Sequence, residues 1–126
     1  MTDQPTTRPA DTQRDRRGHD FYPPDSQAAA IPGLYGTEGT PAGEKVLHAH
    51  YFAAACDWWI AEYDPATGTV FGYACLGDPQ NAEWGYLHLP GLEQVNVGHG
   101  LLIVERDLHW TPTRAADAAL PGRHTD

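Results

Sequence analysis

The stretch Asp57-Trp58-Trp59-Ile60-Ala61-Glu62-Tyr63-Asp64-Pro65-Ala66-Thr67-Gly68-Thr69-Val70-Phe71-Gly72-Tyr73 decides the fold. Strand formers run up to Asp64-Pro65, break, and resume after Gly68. That pattern is the signature of a β-hairpin closed by a short loop. Three of the four tryptophans, Trp58, Trp59 and Trp84, lie close to this hairpin, so the core is expected here.

Working outward, Val46-Leu47-His48-Ala49-His50-Tyr51-Phe52 reads as the preceding strand. Leu47, Ala49 and Tyr51 fall on one face of it, and Val46, His48, His50 and Phe52 on the other. After the hairpin, a turn at Gly77-Asp78-Pro79-Gln80-Asn81 leads to a strand at Glu83-Trp84-Gly85-Tyr86-Leu87. Links this short make consecutive strands antiparallel neighbours, because a parallel crossover takes a dozen or more residues. Leu89, Leu92 and Val95 share a helical face, with Pro90 tolerated in the first turn. Residues 101–104 and 106–110 read as final strand pieces. The expected fold is α+β: a four- to five-stranded antiparallel meander with one short helix packed on a face.

The 126 residues allow one domain. Residues 1–30 are rich in Thr, Asp, Arg, Gln and Pro, and residues 113–126 in Ala, Thr, Asp and Arg. Neither end carries enough apolar surface to offset the entropy of ordering it, so both are expected to be disordered. The single folded domain is placed at residues 31–112.

The net charge is −9. Within residues 31–112, ten acids face only Lys45 and Arg106, which leaves that segment at −8. Such acidity repels phosphate backbones and argues against direct nucleic-acid binding by the core. It suits a basic protein partner, a metal or plain solubility. Cys56 and Cys75 form no CxxC motif and read as small buried thiols. The sequence shows no apolar leader or membrane-length run, so a cytoplasmic chain with reduced thiols is expected.

Three constellations carry potential chemistry. Glu62, Glu83, Glu105 and Asp107 each lie on an expected strand, Glu62 on the face of Trp58 and Ile60. Carboxylates sharing a sheet face are able to hold Mg²⁺ or act as an acid/base pair; a solvated sheet face is the plainer reading. His48, His50, His88, His99 and His109 lack a zinc-binding spacing, although His48 and His50 share a strand face. The lone serine, Ser26, lies in the leader, and no glycine-rich phosphate loop precedes a helix. No catalytic residue, metal ligand or cofactor is therefore assigned. The third constellation is aromatic: Trp58, Trp59, Tyr63, Tyr73, Trp84 and Tyr86 exceed what one face of a small sheet buries. Trp58, Trp59, Glu62, Tyr63, Glu83, Trp84, Tyr86, Glu105 and Asp107 are the candidate binding residues, an aromatic patch with an acidic rim. Arg106, set between Glu105 and Asp107, is expected to be a structural clamp on Glu62 or Glu83.

The order of motifs is itself informative. Leu-Tyr-x-x-Glu at 34–38 is followed by the strand at 46–52, Trp58-Trp59-Ile60-Ala61-Glu62-Tyr63-Asp64, Phe71-Gly72-Tyr73, Glu83-Trp84-Gly85-Tyr86 and Val104-Glu105-Arg106-Asp107-Leu108-His109-Trp110. Over residues 31–112 this resembles the bacterial family of unknown function catalogued as domain of unknown function 2958, borne largely on plasmids and other mobile elements. One departure is Leu89-Pro90-Gly91-Leu92, where the family usually has a better helix former. The resemblance implies a genomic setting and no activity. Two functions are expected from these readings. The first is a small acidic accessory protein of a mobile element that binds an unidentified basic protein, such as a DNA-handling or defence protein. The second is a divalent-metal-dependent hydrolase or nuclease built on the strand carboxylates.

Overall fold

The computed structural model describes residues 9–122. Its strands are β1 (Val46–Leu47), β2 (Ala49–Ala53), β3 (Cys56–Asp64), β4 (Thr69–Leu76), β5 (Glu83–His88), β6 (Asn96–Val97), β7 (Leu102–Ile103), β8 (Glu105–Arg106) and β9 (Thr113–Arg114). Short α-helices lie at α1 (Arg14–Arg17), α2 (Asp25–Ala28) and α3 (Leu89–Glu93). The protein is thus α+β, with more than the one helix expected. A five-stranded antiparallel sheet has the order β5-β4-β3-β2-β8, while β1 pairs with β9 and β6 with β7 in two small ribbons.

The β3–β4 hairpin turns at Asp64-Pro65-Ala66-Thr67-Gly68. Asp64 accepts from the Ala66 amide and the Thr67 hydroxyl, and Gly68 takes a φ of 83° that a side chain would strain. Alternation along β3 sends Trp58 and Ile60 to one face and Trp59 to the other, each tryptophan 7% exposed. Cys56 and Cys75 sit on these paired strands one register apart, Asp57 being opposite Cys75. Both are free thiols.

Both faces of the sheet are covered, and the chain ends cover them. On the Trp58 face, Phe21, Tyr22, Leu89 and Val104 pack against Tyr51, Ile60, Tyr63 and Val70. On the Trp59 face, Ala115 and Leu120 pack against Leu47, Ala61, Tyr73 and Cys75. The expectation of a disordered leader and tail therefore fails for residues 9–30 and 113–122; the outermost residues, 1–8 and 123–126, lie outside the described residues. Average composition misled there because a few well-placed groups hold each end. Phe21 is fully buried with its ring 4.7 Å from that of Tyr51, whose hydroxyl donates to the Phe21 carbonyl at 2.7 Å. At the other end, the Tyr73 hydroxyl donates to the Pro121 carbonyl at 2.8 Å.

Arg17, in the leader expected to be disordered, has a side chain with no exposure, as does its partner Glu93. Its guanidinium meets the Glu93 carboxylate at 2.9 Å and donates to the Val104 and Glu93 carbonyls at 2.6 and 2.8 Å. Glu93 also accepts from the Thr12 hydroxyl and the Gln13 amide, at 2.8 and 2.9 Å. A buried pair satisfied this fully fixes one arrangement of its neighbours, whatever its net contribution to stability.

Arg106 is not the expected clamp. Its Nε donates to the Asp20 carbonyl at 3.1 Å in an exposed setting, and neither Glu62 nor Glu83 is its partner. The reason is topological. Glu83 is on β5, at the edge opposite β8 and four strand spacings or roughly 19 Å away, while Glu62 is on β3, two spacings or roughly 10 Å away, and is taken up by Tyr35 and Thr37.

Candidate functional site

The register of β3 against β4 slips once. Ile60 pairs with Gly72 and Glu62 with Phe71, leaving Ala61 as a β-bulge. The extra residue reverses the alternation. Tyr63 joins Trp58 and Ile60 on one face, and Glu62 moves to the face of Trp59, Phe71 and Tyr73. Gly72 makes the bulge possible, because a Cβ there would lie 1.8 Å from the Trp59 carbonyl oxygen. Glu62 ends up 2% exposed beneath the loop at 33–40. Its carboxylate accepts from the Tyr35 amide at 2.8 Å, the Thr37 amide at 3.1 Å and the Thr37 hydroxyl. Lys45, also buried, donates to the Thr37 carbonyl at 2.5 Å and to its hydroxyl at 3.0 Å. A carboxylate without a cation at contact distance is held here by N–H and O–H donors converging on it.

This anchored loop presents Tyr35. Its φ is 69°, in the left-handed region that a bulky residue rarely adopts, and its ring is 62% exposed. The ring lies 5.9 Å from that of Tyr86, which is 53% exposed. Tyr35, Tyr86 and Phe71 wall a hollow of about 250 Å³ with Glu38, Lys45 and Glu62 around it. From the hollow a file of rings crosses the sheet. Centroid spacings are 4.9 Å for Tyr86–Phe71, 5.9 Å for Phe71–Trp84, 5.3 Å for Trp84–Tyr73, 6.1 Å for Tyr73–Trp59 and 5.1 Å for Trp59–His50. The spacing follows from the register, since Phe71 faces Tyr86 and Tyr73 faces Trp84 across β4 and β5.

The far end of the file is built differently. His50 stacks on Trp59 with an interplanar angle of 14° and touches Trp110 at 5.5 Å. Its Nδ1 meets Asp107 at 2.9 Å and its Nε2 meets Asp57 at 2.8 Å. Burial pushes the Asp107 carboxyl up, but the His50 and His109 N–H groups outweigh this and hold it below the usual carboxylate range. Both ring nitrogens of His50 are thus engaged by carboxylates, one from β3 and one from the residues after β8. No nucleophile stands beside it in the contacts described, and the trio ties β2, β3 and the residues after β8 together. A shallow hollow of about 210 Å³ adjoins it, with Phe52 and Leu108 exposed on its rim.

A family model described as protein of unknown function (DUF2958) matches residues 41–118. The chain belongs to this family. No curated protein and no solved structure matches the chain. The DUF2958 segment supplies Lys45, Glu62, Phe71 and Tyr86, while Tyr35, Thr37 and Glu38 precede it. The hollow therefore has a floor from the family segment and an outer wall from the loop ahead of it.

Several site residues read from the sequence of this DUF2958 chain are core. Trp58, Trp59 and Tyr63 are buried and have no free surface to offer. The carboxylates do not converge. Glu62 lies under the loop, Glu83 is exposed on β5, and Glu105 and Asp107 lie at the opposite edge. Among the described residues no group of three or more His, Cys, Asp or Glu side chains is placed to hold a metal ion. Trp84 and Tyr86 do lie on the partly exposed ring file. The sequence reading missed Tyr35, Glu38, Lys45 and Phe71 as site residues. Tyr35 carried a signal, a large aromatic in a Pro- and Gly-bounded loop, which reads equally well as an apolar anchor. Among the described residues no helix is long and apolar enough to cross a membrane.

Proposed function

We propose that this protein is a small acidic accessory protein that works by binding another protein, without catalysis, through the Tyr35–Tyr86 end of its aromatic file. The partner is basic. In the setting implied by the family resemblance it is a DNA-handling or defence protein met by a mobile element. The finer reading of the fold, a meander extended by an edge strand, serves this role by aligning rings across a rigid sheet. One observation carries the proposal: a bulky residue is kept in the left-handed region, with its ring in solvent beside a second exposed tyrosine, by a buried carboxylate. Strain of this kind costs on the order of 1–3 kcal/mol and persists where the surroundings impose it, most often at binding sites. Exposed tyrosines give large, rigid contact area at low entropic cost. A net charge of −9 adds long-range attraction for a basic surface.

The test compares the wild type with Tyr35→Ser/Tyr86→Ser as immobilised baits in the same host lysate, at low and at high salt. The expected result is a basic protein retained by the wild type at low salt, released at high salt, and lost from the double variant. Equal retention by both baits, or retention of no basic protein, overturns the proposal.

A further inference from the structure

We propose that the hollow between Tyr35, Phe71 and Tyr86 is a receptor for a single guanidinium group, the side chain of an arginine on the partner polypeptide. The inference rests on the protein-binding reading above and names the chemistry that the site selects.

The walls are flat π-faces. Tyr35 and Tyr86 stand 5.9 Å apart at an interplanar angle of 53°, and Phe71 and Tyr86 stand 4.9 Å apart at 58°. Rings splayed this way form an open corner, which a planar cation enters along one face while turning its edge to another. The hollow of about 250 Å³ is ample for a guanidinium and the outer part of its stem.

The charges around it favour a cation. Glu38 is exposed on the rim and Glu62 lies beneath, against the one ammonium of Lys45. That ammonium is engaged by the Thr37 carbonyl and hydroxyl and lies 5.6 Å from the Phe71 ring centroid. It shows that the Phe71 face already accepts a cation on one side. The Tyr86 hydroxyl reports the same field. Its pKa is raised, first by lost hydration and then by the neighbouring Tyr35 hydroxyl, with the Glu62 and Glu38 carboxylates acting in the same direction. An anionic ligand would face two carboxylates and three ring faces, each with negative character.

Guanidinium fits better than ammonium for two reasons. It is planar and weakly hydrated, so it stacks on tyrosine with little desolvation cost, and its fork leaves N–H groups at the rim for the Glu38 carboxylate.

The test is a titration monitored by the ring resonances of Tyr35, Phe71 and Tyr86. The probes are Nα-acetyl-arginine amide, its uncharged isostere Nα-acetyl-citrulline amide, and Nα-acetyl-lysine amide. The expected result is saturable movement of all three rings with the arginine probe, roughly five-fold weaker binding of the lysine probe, and no saturable effect of the citrulline probe. Tyr86→Leu is expected to weaken arginine binding by roughly five-fold, and Glu38→Gln, at an exposed position that leaves the fold alone, by roughly two-fold. Equal binding of citrulline overturns the assignment to a cation, and tighter binding of lysine overturns the assignment to guanidinium. No response to any probe overturns the site. If that happens while the lysate experiment still loses its partner in Tyr35→Ser/Tyr86→Ser, the protein-binding reading stands and the guanidinium inference alone falls. If arginine binds but no basic protein is retained, the receptor stands and the protein-binding reading falls.

Discussion

Glu62 shows how far a single residue can be read from sequence. It was legible as unusual, an acid inside an aromatic strand, and the natural reading grouped it with Glu83, Glu105 and Asp107. Its real role depends on which side of the sheet it faces, and a one-residue bulge reverses that without any change in composition. Its oxygens accept three hydrogen bonds from Tyr35 and Thr37. Glu62→Gln keeps the shape but turns an NH₂ group toward an N–H donor, which leaves a buried donor unsatisfied. The expected cost is about 1–3 kcal/mol in denaturant unfolding, with faster amide exchange at Tyr35 and Thr37. A stability change near zero with unaltered exchange would remove Glu62 as the anchor of the loop. His50 was legible only as one of a set of histidines. Its two carboxylate partners come from positions 57 and 107, a pairing that local spacing does not encode.

At the scale of elements, legibility followed length. β3, β4 and β5 are strands of six to nine residues, rich in β-formers and bounded by Asp-Pro, Gly and Asp-Pro signals, and they lie where the hairpin and the strand at 83–87 were expected. The helix after β5 was found but stops at Glu93, because Glu93 is drawn into the buried contact with Arg17 and the chain turns into β6. Two-residue strands such as β8 and β9, and the four-residue α1, have no periodicity to read; partners far along the chain define them. Gly72 is the element-scale test. Gly72→Ala sets a methyl group against the Trp59 carbonyl, where backbone cannot yield cheaply. The expected loss is roughly 1–3 kcal/mol or more, with the β3–β4 pairing shifted around Ala61. Amide exchange along β3 would locate the shift, and an unperturbed Ala61 region would show that the close approach is not needed.

For the whole molecule, residues 9–30 and 113–122 complete the structure, each segment packing on its own side of the sheet. The acid limb of stability reads out the leading one. The Glu93 carboxyl is pushed up by burial but held below its usual range by Arg17, Thr12 and Gln13. A carboxylate depressed in the folded state stabilises above its unfolded pKa, about 4.3 for glutamate, and loses that contribution as pH falls through the folded value. Asp107 acts in the same sense. Burial also lowers the His48 pKa, so unfolding free energy should decline first as pH falls below about 6.5 and again below about pH 4.3, with Glu93→Gln less stable at neutral pH and less steep in the second window. An identical acid slope in the variant would show that the Glu93 contact does not carry the linkage. The same arrangement sets a timetable for folding. Thr12, Gln13 and Arg17 must wait for residues 93–104 to be made before their contacts with Glu93 and Val104 form, and Tyr73 waits for Pro121. Closures over 76–87 residues on one face and 48 on the other are slow steps, so the β3–β4 segment is synthesised well before the segments that seal its faces. During that interval Trp58 and Trp59 lack the contacts that bury them, and slower synthesis through residues 76–121 is expected to lower the soluble yield, as expression at reduced elongation rate would show.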